Sequence, residues 1–181
     1  MKETDLKSYL ETDLPNDKEQ LTADIITSLQ EAGYGVVEIN TEKPWGAYVR
    51  IRNDQADDFV HEFFPGLSPE EARLGIESAE LSPKILIVSP EQRLSWQYHY
   101  RRAERWAFLT AGSYNKSLDD NPGDPVATQA GDVVQFGKSE RHRLNGLQDG
   151  YVVVAEIWQH TDSTAPSDED DIVRLYDDYA R

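Results

Sequence analysis

Gln97, His99, Glu104 and His142 are the side chains whose types and spacing best suit chemistry in this sequence. If the stretch around them is a strand, Arg93, Ser95, Gln97 and His99 share one face, while Leu94, Trp96 and Tyr98 take the other. Gln97 and His99 can then point at a single ion. Glu104 follows a short turn and can reach the same point from the next strand. His142 arrives from a later segment, after a glycine-bounded turn. One carboxylate, one amide oxygen and two imidazoles suit one divalent transition metal. Zn²⁺ is the first expectation, and Mn, Ni, Co or Fe also take such donors. With neutral imidazoles the set carries only the charge of Glu104, so a bound ion stays a Lewis acid. A single strand histidine is more often structural than a ligand, so the weight rests on the joint pattern.

The same segments gather positive charge. Arg93, Arg101, Arg102 and Arg105 face only Glu104 across residues 93–105, and Lys138, Arg141 and Arg143 face only Glu140 across 138–143. The chain as a whole has 34 acidic against 18 basic residues, a net charge of −16. That balance argues against nucleic acid and anionic membranes as partners, because polyanions would be repelled. Cysteine is absent, which excludes disulfides, thiolate metal sites and a cysteine nucleophile. No apolar run approaches the length that spans a bilayer, and Met1 to Leu10 lacks the apolar core of a secretion signal. The expectation is a cytoplasmic protein.

The elements that must position these groups change character along the chain. Asn16 with Glu19 has the pattern of a capping box, Leu21, Ile25, Ile26 and Leu29 lie on one helical face, and Gly33 is a stop. Further helical pieces are expected near Gln55 to Phe64 and from Ser68-Pro69-Glu70-Glu71. From Lys84 onward the period becomes two. Lys84 to Ser89, Arg93 to His99, Glu104 to Thr110, Asp132 to Phe136 and Tyr151 to Trp158 read as strands punctuated by glycines. Many short strands at regular spacing imply an antiparallel barrel or sandwich. Thr161 to Asp171 reads as a polar surface stretch, and Ile172 to Tyr179 as a short last element.

Four ordered motifs carry a family resemblance. Leu94-Ser95-Trp96-Gln97-Tyr98-His99 through Glu104-Arg105-Trp106 resembles the first metal motif of cupin-type (type II) mannose-6-phosphate isomerases. Lys43-Pro44-Trp45-Gly46 resembles the opening of that domain. Gly131-Asp132-Val133 through His142-Arg143-Leu144 resembles the second cupin motif, and Glu169-Asp170-Asp171-Ile172-Val173-Arg174-Leu175 with Tyr179 and Arg181 resembles the C-terminal signature. The resemblance implies a mainly β, double-stranded β-helix (jelly-roll) cupin barrel over residues 43–165, with a helical insertion at about 54–83. It implies an N-terminal helical extension over 1–42 and a C-terminal segment, 166–181, packed on the barrel. It also implies Gln97, His99, Glu104 and His142 as the metal ligands, and pairing through strands as a homodimer. The chain departs from the pattern at Arg101 and Arg105, where histidine is common. It departs again at Glu91, where a glycine is expected, and at Gly137-Lys138-Ser139, which replaces a Pro-x-Gly turn. These substitutions are expected to loosen the turns. The nucleotidyltransferase domain often fused in the family has no counterpart in this sequence.

The implied activity is a metal-dependent aldose–ketose isomerisation of a sugar phosphate, either mannose 6-phosphate/fructose 6-phosphate or a related hexose or heptose phosphate. Such a reaction moves a proton between C1 and C2 and needs a base. Glu156 is the leading candidate: alternation in its strand can turn it inward, where an apolar barrel would raise its pKa. The alternative is a structural acid paired to an arginine, and Lys84 and His160 are weaker choices of base. Arg102 and Arg174 are the first candidates for the phosphate, followed by Lys138, Arg101 and Ser95. The alternative for each arginine is the outside of a strand, paired to one of the many acids. Trp45, Trp96, Trp106 and Trp158 are expected to be barrel core, with Trp45 the exception closest to a sugar platform. A non-catalytic metal-containing sugar-binding cupin, or a different cupin sugar isomerase or epimerase, would share most of these features.

Overall fold

The computed structural model describes Met1–Arg181. Four helices precede the barrel strands or interrupt them: α1 (Leu6–Leu10), α2 (Lys18–Glu31), α3 (Ala56–Phe63) and α4 (Pro69–Ala72). Asp17, not Asn16, caps α2, its carboxylate accepting from Glu19 N at 3.1 Å. Ser68 and Glu71 do form the reciprocal capping box expected for α4. That helix lasts a single turn, so the insertion is helical only as far as Ala72.

Eleven strands follow the order β1 (Val36–Asn40), β2 (Gly46–Ile51), β3 (Lys84–Val88), β4 (Trp96–Tyr98), β5 (Arg102–Phe108), β6 (Gly112–Ser117), β7 (Val126–Thr128), β8 (Val133–Phe136), β9 (Arg141–Asn145), β10 (Val152–His160) and β11 (Val173–Tyr176). They form two antiparallel sheets, β1-β2-β3-β10-β5-β8 and β11-β4-β9-β6-β7, stacked as a jelly-roll. Strand β1 lies within the stretch expected to be a helical extension, and pairs with β2 to edge the first sheet.

The centre of the first sheet, β3 and β10, is buried on both faces, which explains the apolar runs Ile85–Val88 and Val152–Ala155. Ile85, Ile87, Val153, Ala155 and Ile157 turn outward and pack under Leu21, Ile25, Leu29 and the phenylalanines of α3. Leu86, Val88, Val152 and Val154 turn inward with Trp106, Phe108 and Phe136. The helices therefore act as a lid over the outside of the sheet. Their apolar faces, each side chain contributing roughly 1.5–3 kcal/mol on burial, fix that sheet against the barrel. No helix is long and apolar enough to cross a membrane.

Inward positions change from apolar to polar at one end of the barrel. Register sets Trp158 opposite Glu104, His160 opposite Arg102, and Glu156 opposite both Trp106 and Lys84. Opposed residues of an antiparallel pair project to the same side, so all of these enter the interior together. In the second sheet Gln97 is opposite His142, and Arg174 is opposite Gln97.

The turns flanking the two cupin-like motifs are not loosened by their missing glycines. Glu91 (φ 62°) and Ser139 (φ 64°) hold the left-handed conformation that glycine would take there. A side chain in that region costs about 1–2 kcal/mol, offset in part by the greater unfolded-state freedom of glycine. Ser139→Gly is therefore expected to stabilise the protein by about 0.5–1 kcal/mol in chemical denaturation. Destabilisation by that substitution would show that the Ser139 side chain has an uncounted role.

Candidate metal centre

His99, Glu104 and His142 meet inside the barrel, with one ligand atom from each lying within 4.8 Å of the others. All three are buried. His99 Nε2 is 3.1 Å from Glu104 Oε1, and His142 Nε2 is 3.2 Å from Glu104 Oε2. The other ring nitrogens face backbone carbonyls: His99 Nδ1 lies 2.6 Å from Asp171 O, and His142 Nδ1 lies 2.9 Å from Glu140 O. A carbonyl can only accept, so each Nδ1 carries the proton and each Nε2 presents a lone pair. Burial pushes the His99 pKa down, which keeps the ring neutral and suited to ligation.

Two lone pairs and a carboxylate thus converge in a dry space. Glu104 Oε2 and His142 Nε2 have no hydrogen-bond partner there. A buried acceptor without a partner is costly, and a cation is the group that all three atoms share a need for. The donors therefore fit a divalent ion. Burial raises the Glu104 pKa, but the positive charge of Arg102, 2.8 Å away, opposes it, and the carboxyl is held well below its usual range. It is ionised, as a ligand must be.

Gln97 is buried on the same face as His142. Its Oε1 accepts from Ser95 Oγ at 2.6 Å. Ser95 thus orients the amide, and its hydroxyl is engaged with Gln97. Asp171 holds His99 through its backbone carbonyl, while its carboxylate accepts from Tyr100 N at 2.9 Å, Arg101 N at 3.0 Å and Ser167 Oγ at 2.6 Å. In the sequence this outer clasp is marked by the acidic run Asp168 to Asp171 and by the place of Asp171 in the C-terminal motif.

A cavity of about 110 Å³ adjoins the centre and includes Gln97, Arg102, Glu104 and Glu156 in its lining. Glu156 Oε2 accepts from Trp106 Nε1 at 2.9 Å. Burial, aided by the charge of Glu104, pushes the Glu156 pKa up to about 7. Arg102 donates to Glu104 Oε1 at 2.8 Å, to Ser167 Oγ at 2.8 Å and to Asp168 O at 2.9 Å. Arg174 lines the cavity from β11 and is exposed.

Arg101 and Lys138 are not brought to this cavity. Arg101 points along the C-terminal stretch, donating to Pro166 O at 2.7 Å and Asp168 at 3.1 Å. Lys138 is exposed in the turn between β8 and β9. Lys43, Lys84, Glu169 and Arg181, none of them a leading candidate from the sequence, do line it. Alternation places Lys84 inward with Leu86 and Val88, a signal present in the sequence. Glu169 and Arg181 come from the far end of the chain, where their signal is membership of the C-terminal motif. Trp45 and Trp158 line the cavity, whereas Trp96 and Trp106 are fully buried.

Two outcomes are expected. The protein binds one Zn²⁺ per chain in a calorimetric titration, and His99→Ala and His142→Ala each lose this binding while keeping the β-sheet circular dichroism spectrum. Stoichiometric binding by both variants contradicts the ligand assignment. Glu156 has a folded-state pKa above its unfolded value of 4.5. Its stabilising contribution is therefore complete below pH 4.5 and is lost as pH rises through about 7, on the order of 3 kcal/mol. Glu156→Gln removes that loss, so its stability relative to the parent should increase from pH 4 to pH 8. An equal difference at both pH values contradicts this.

No protein family and no curated protein matches the sequence. Solved structures match in fold. The capsular polysaccharide assembling protein CapF from Staphylococcus aureus is 14% identical over 94% of this chain and 42% of its own, with a TM-score of 0.50. The oxalate decarboxylase of Lactobacillus farciminis is 14% identical over 77% of this chain and 33% of its own, with a TM-score of 0.49. A cupin 2 conserved barrel domain protein from Salinispora arenicola is 15% identical over 70% of this chain and 83% of its own, with a TM-score of 0.44. The chain thus spans less than half the length of the first two. The two stacked antiparallel sheets give the chain the fold of a cupin jelly-roll.

Proposed function

We propose that the protein is a metal-dependent aldose–ketose isomerase acting on a sugar phosphate, mannose 6-phosphate/fructose 6-phosphate or a related hexose or heptose phosphate. The observation that carries this reading is the shared cavity, where Glu104 of the His–Glu–His cluster and the separate carboxyl of Glu156 open onto one space ringed by cations. His99, Glu104 and His142, with Gln97 beside them, would hold the ion, which when bound supplies a Lewis acid for the substrate's C1 and C2 oxygens.

The chain's own groups do the rest. Glu156 takes the proton from C2 of the aldose and returns it to C1, through an enediol, while the O2 hydroxyl proton passes to O1; a carboxyl with a pKa of about 7 is poised for both directions near neutrality. Trp106 Nε1–H fixes the orientation of that carboxyl. Arg102 and Lys84 place positive charge beside the cavity, where negative charge develops on the substrate oxygens. Trp45, Leu86 and Leu94 supply apolar wall and limit water.

One observation favours a second reading. Arg102 is within 2.8 Å of Glu104 Oε1 and within 3.5 Å of His99 Nε2, so a resident cation already borders the cluster. That arrangement would serve a cupin sugar isomerase or epimerase working without metal. Interconversion of mannose 6-phosphate and fructose 6-phosphate, with heptose phosphates as a second panel, separates the two. Turnover is expected to disappear on chelation and return with a divalent ion, and Glu156→Gln should lower kcat by roughly 10²–10⁴-fold. Turnover indifferent to chelators contradicts the metal-dependent reading, and no turnover on either panel contradicts the isomerase reading.

A further inference from the structure

The cations around the cavity fall into two groups that differ in their partners. Lys84 and Arg102 are buried and matched by carboxylates, Lys84 to Glu169 at 2.8 Å and Arg102 to Glu104 at 2.8 Å. Lys43 and Arg174 have no carboxylate within ion-pair reach. Among the cations that line the cavity, Lys84, Arg102 and Arg181 each have a carboxylate, and Lys43 and Arg174 do not. Arg52, Arg93, Arg174 and Arg181 are the exposed arginines, and all but Arg174 are ion-paired.

Aromatic rings run between the matched and unmatched cations. Lys43, Lys84 and Arg102 alternate with aromatic rings along one wall. Lys43 and Lys84 each lie 5.7 Å from the Tyr48 ring centroid, and Lys84 and Arg102 lie 4.1 Å and 3.8 Å from that of Trp158. The ladder runs from Lys43, half-buried at the rim, to Arg102 beside the His–Glu–His cluster. Arg174 is carried by β11, which the last residues pin to the second sheet. Tyr179 OH donates to Arg93 O at 2.9 Å, Arg93 pairs with Asp178 at 2.7 Å, and Arg181 folds back on Asp177 at 3.0 Å beside the same cavity.

We propose that Lys43 and Arg174, supported by Arg181, form an anion clamp at the cavity rim that binds the phosphate monoester of the substrate. The clamp keeps Arg174, one of the two first candidates from the sequence, and sets Lys43 in place of Arg102, Lys138 and Arg101. Arg174 offers a planar fork to two phosphate oxygens, and Lys43 offers a point charge. The buried, paired Lys84 and Arg102 are left to the reacting end of the ligand. Only the identity of the phosphate's carrier rests on the sugar-phosphate reading above.

The test is calorimetric titration of the full chain with inorganic phosphate, with mannose 6-phosphate and with free mannose, none of which requires turnover. Arg174→Ala and Lys43→Ala are each expected to weaken both phosphate ligands about tenfold or more. Arg101→Ala and Lys138→Ala should leave both within twofold, and Arg174→Lys should fall between the parent and Arg174→Ala. Thermal unfolding checks that the variants remain folded, which Arg174→Ala, at an exposed site, is expected to do. Unchanged affinity in Arg174→Ala and Lys43→Ala overturns the clamp, as does weakening by Arg101→Ala or Lys138→Ala instead. Phosphate binding through these residues without any isomerase turnover would refute the isomerase reading alone. Turnover with phosphate binding indifferent to Lys43 and Arg174 would refute the clamp alone.

Discussion

The Glu104 carboxylate is buried between two imidazole nitrogens whose lone pairs point toward it, because the backbone carbonyls of Asp171 and Glu140 take the protons on the opposite sides of both rings. A fold rarely tolerates converging acceptors in a dry interior. Much of the surrounding structure can be understood as holding them together. The double-faced first sheet keeps β5 rigid under its helical cover, β4 and β9 bring Gln97 and His142 into register, and the C-terminal stretch wraps back so that Asp171 fastens His99. Arg102 tempers the local charge through Glu104 but leaves Glu104 Oε2 and His142 Nε2 without partners.

The same burial separates two carboxyls that face one cavity. Glu104, with the Arg102 guanidinium against it, is held well below the usual carboxylate range, while burial and the nearby charge of Glu104 push Glu156 up to about 7. Paired acids with divergent titration are what proton-transfer chemistry needs.

Much of this was legible in the residues because strand alternation is a local rule. It set Gln97 and His99 on one face and turned Glu156 inward, and it would have turned Lys84 inward by the same logic. Ser68 and Glu71 announced their helix through capping chemistry confined to four positions. What failed was long-range. β6 and β7 are short and polar, with partners chosen by register across the sheet, so neither stood out. Arg101 and Lys138 sit beside the ligands in sequence, yet a turn directs one to Pro166 O and Asp168 and leaves the other in solvent. Arg181 and Glu169 reach the cavity only because the tail returns to it. The absent glycines at Glu91 and Ser139 were expected to alter the turns, but the backbone kept its left-handed conformation at both.

The account stands on a divalent ion being ligated by imidazole nitrogens and a carboxylate inside the barrel. X-ray absorption at the zinc edge of the stoichiometrically loaded protein reads that ligation directly. The account predicts a mixed nitrogen and oxygen shell at about 2.0–2.2 Å with the outer-shell scattering of two imidazole rings. A shell of oxygens alone, without imidazole scattering, would contradict it.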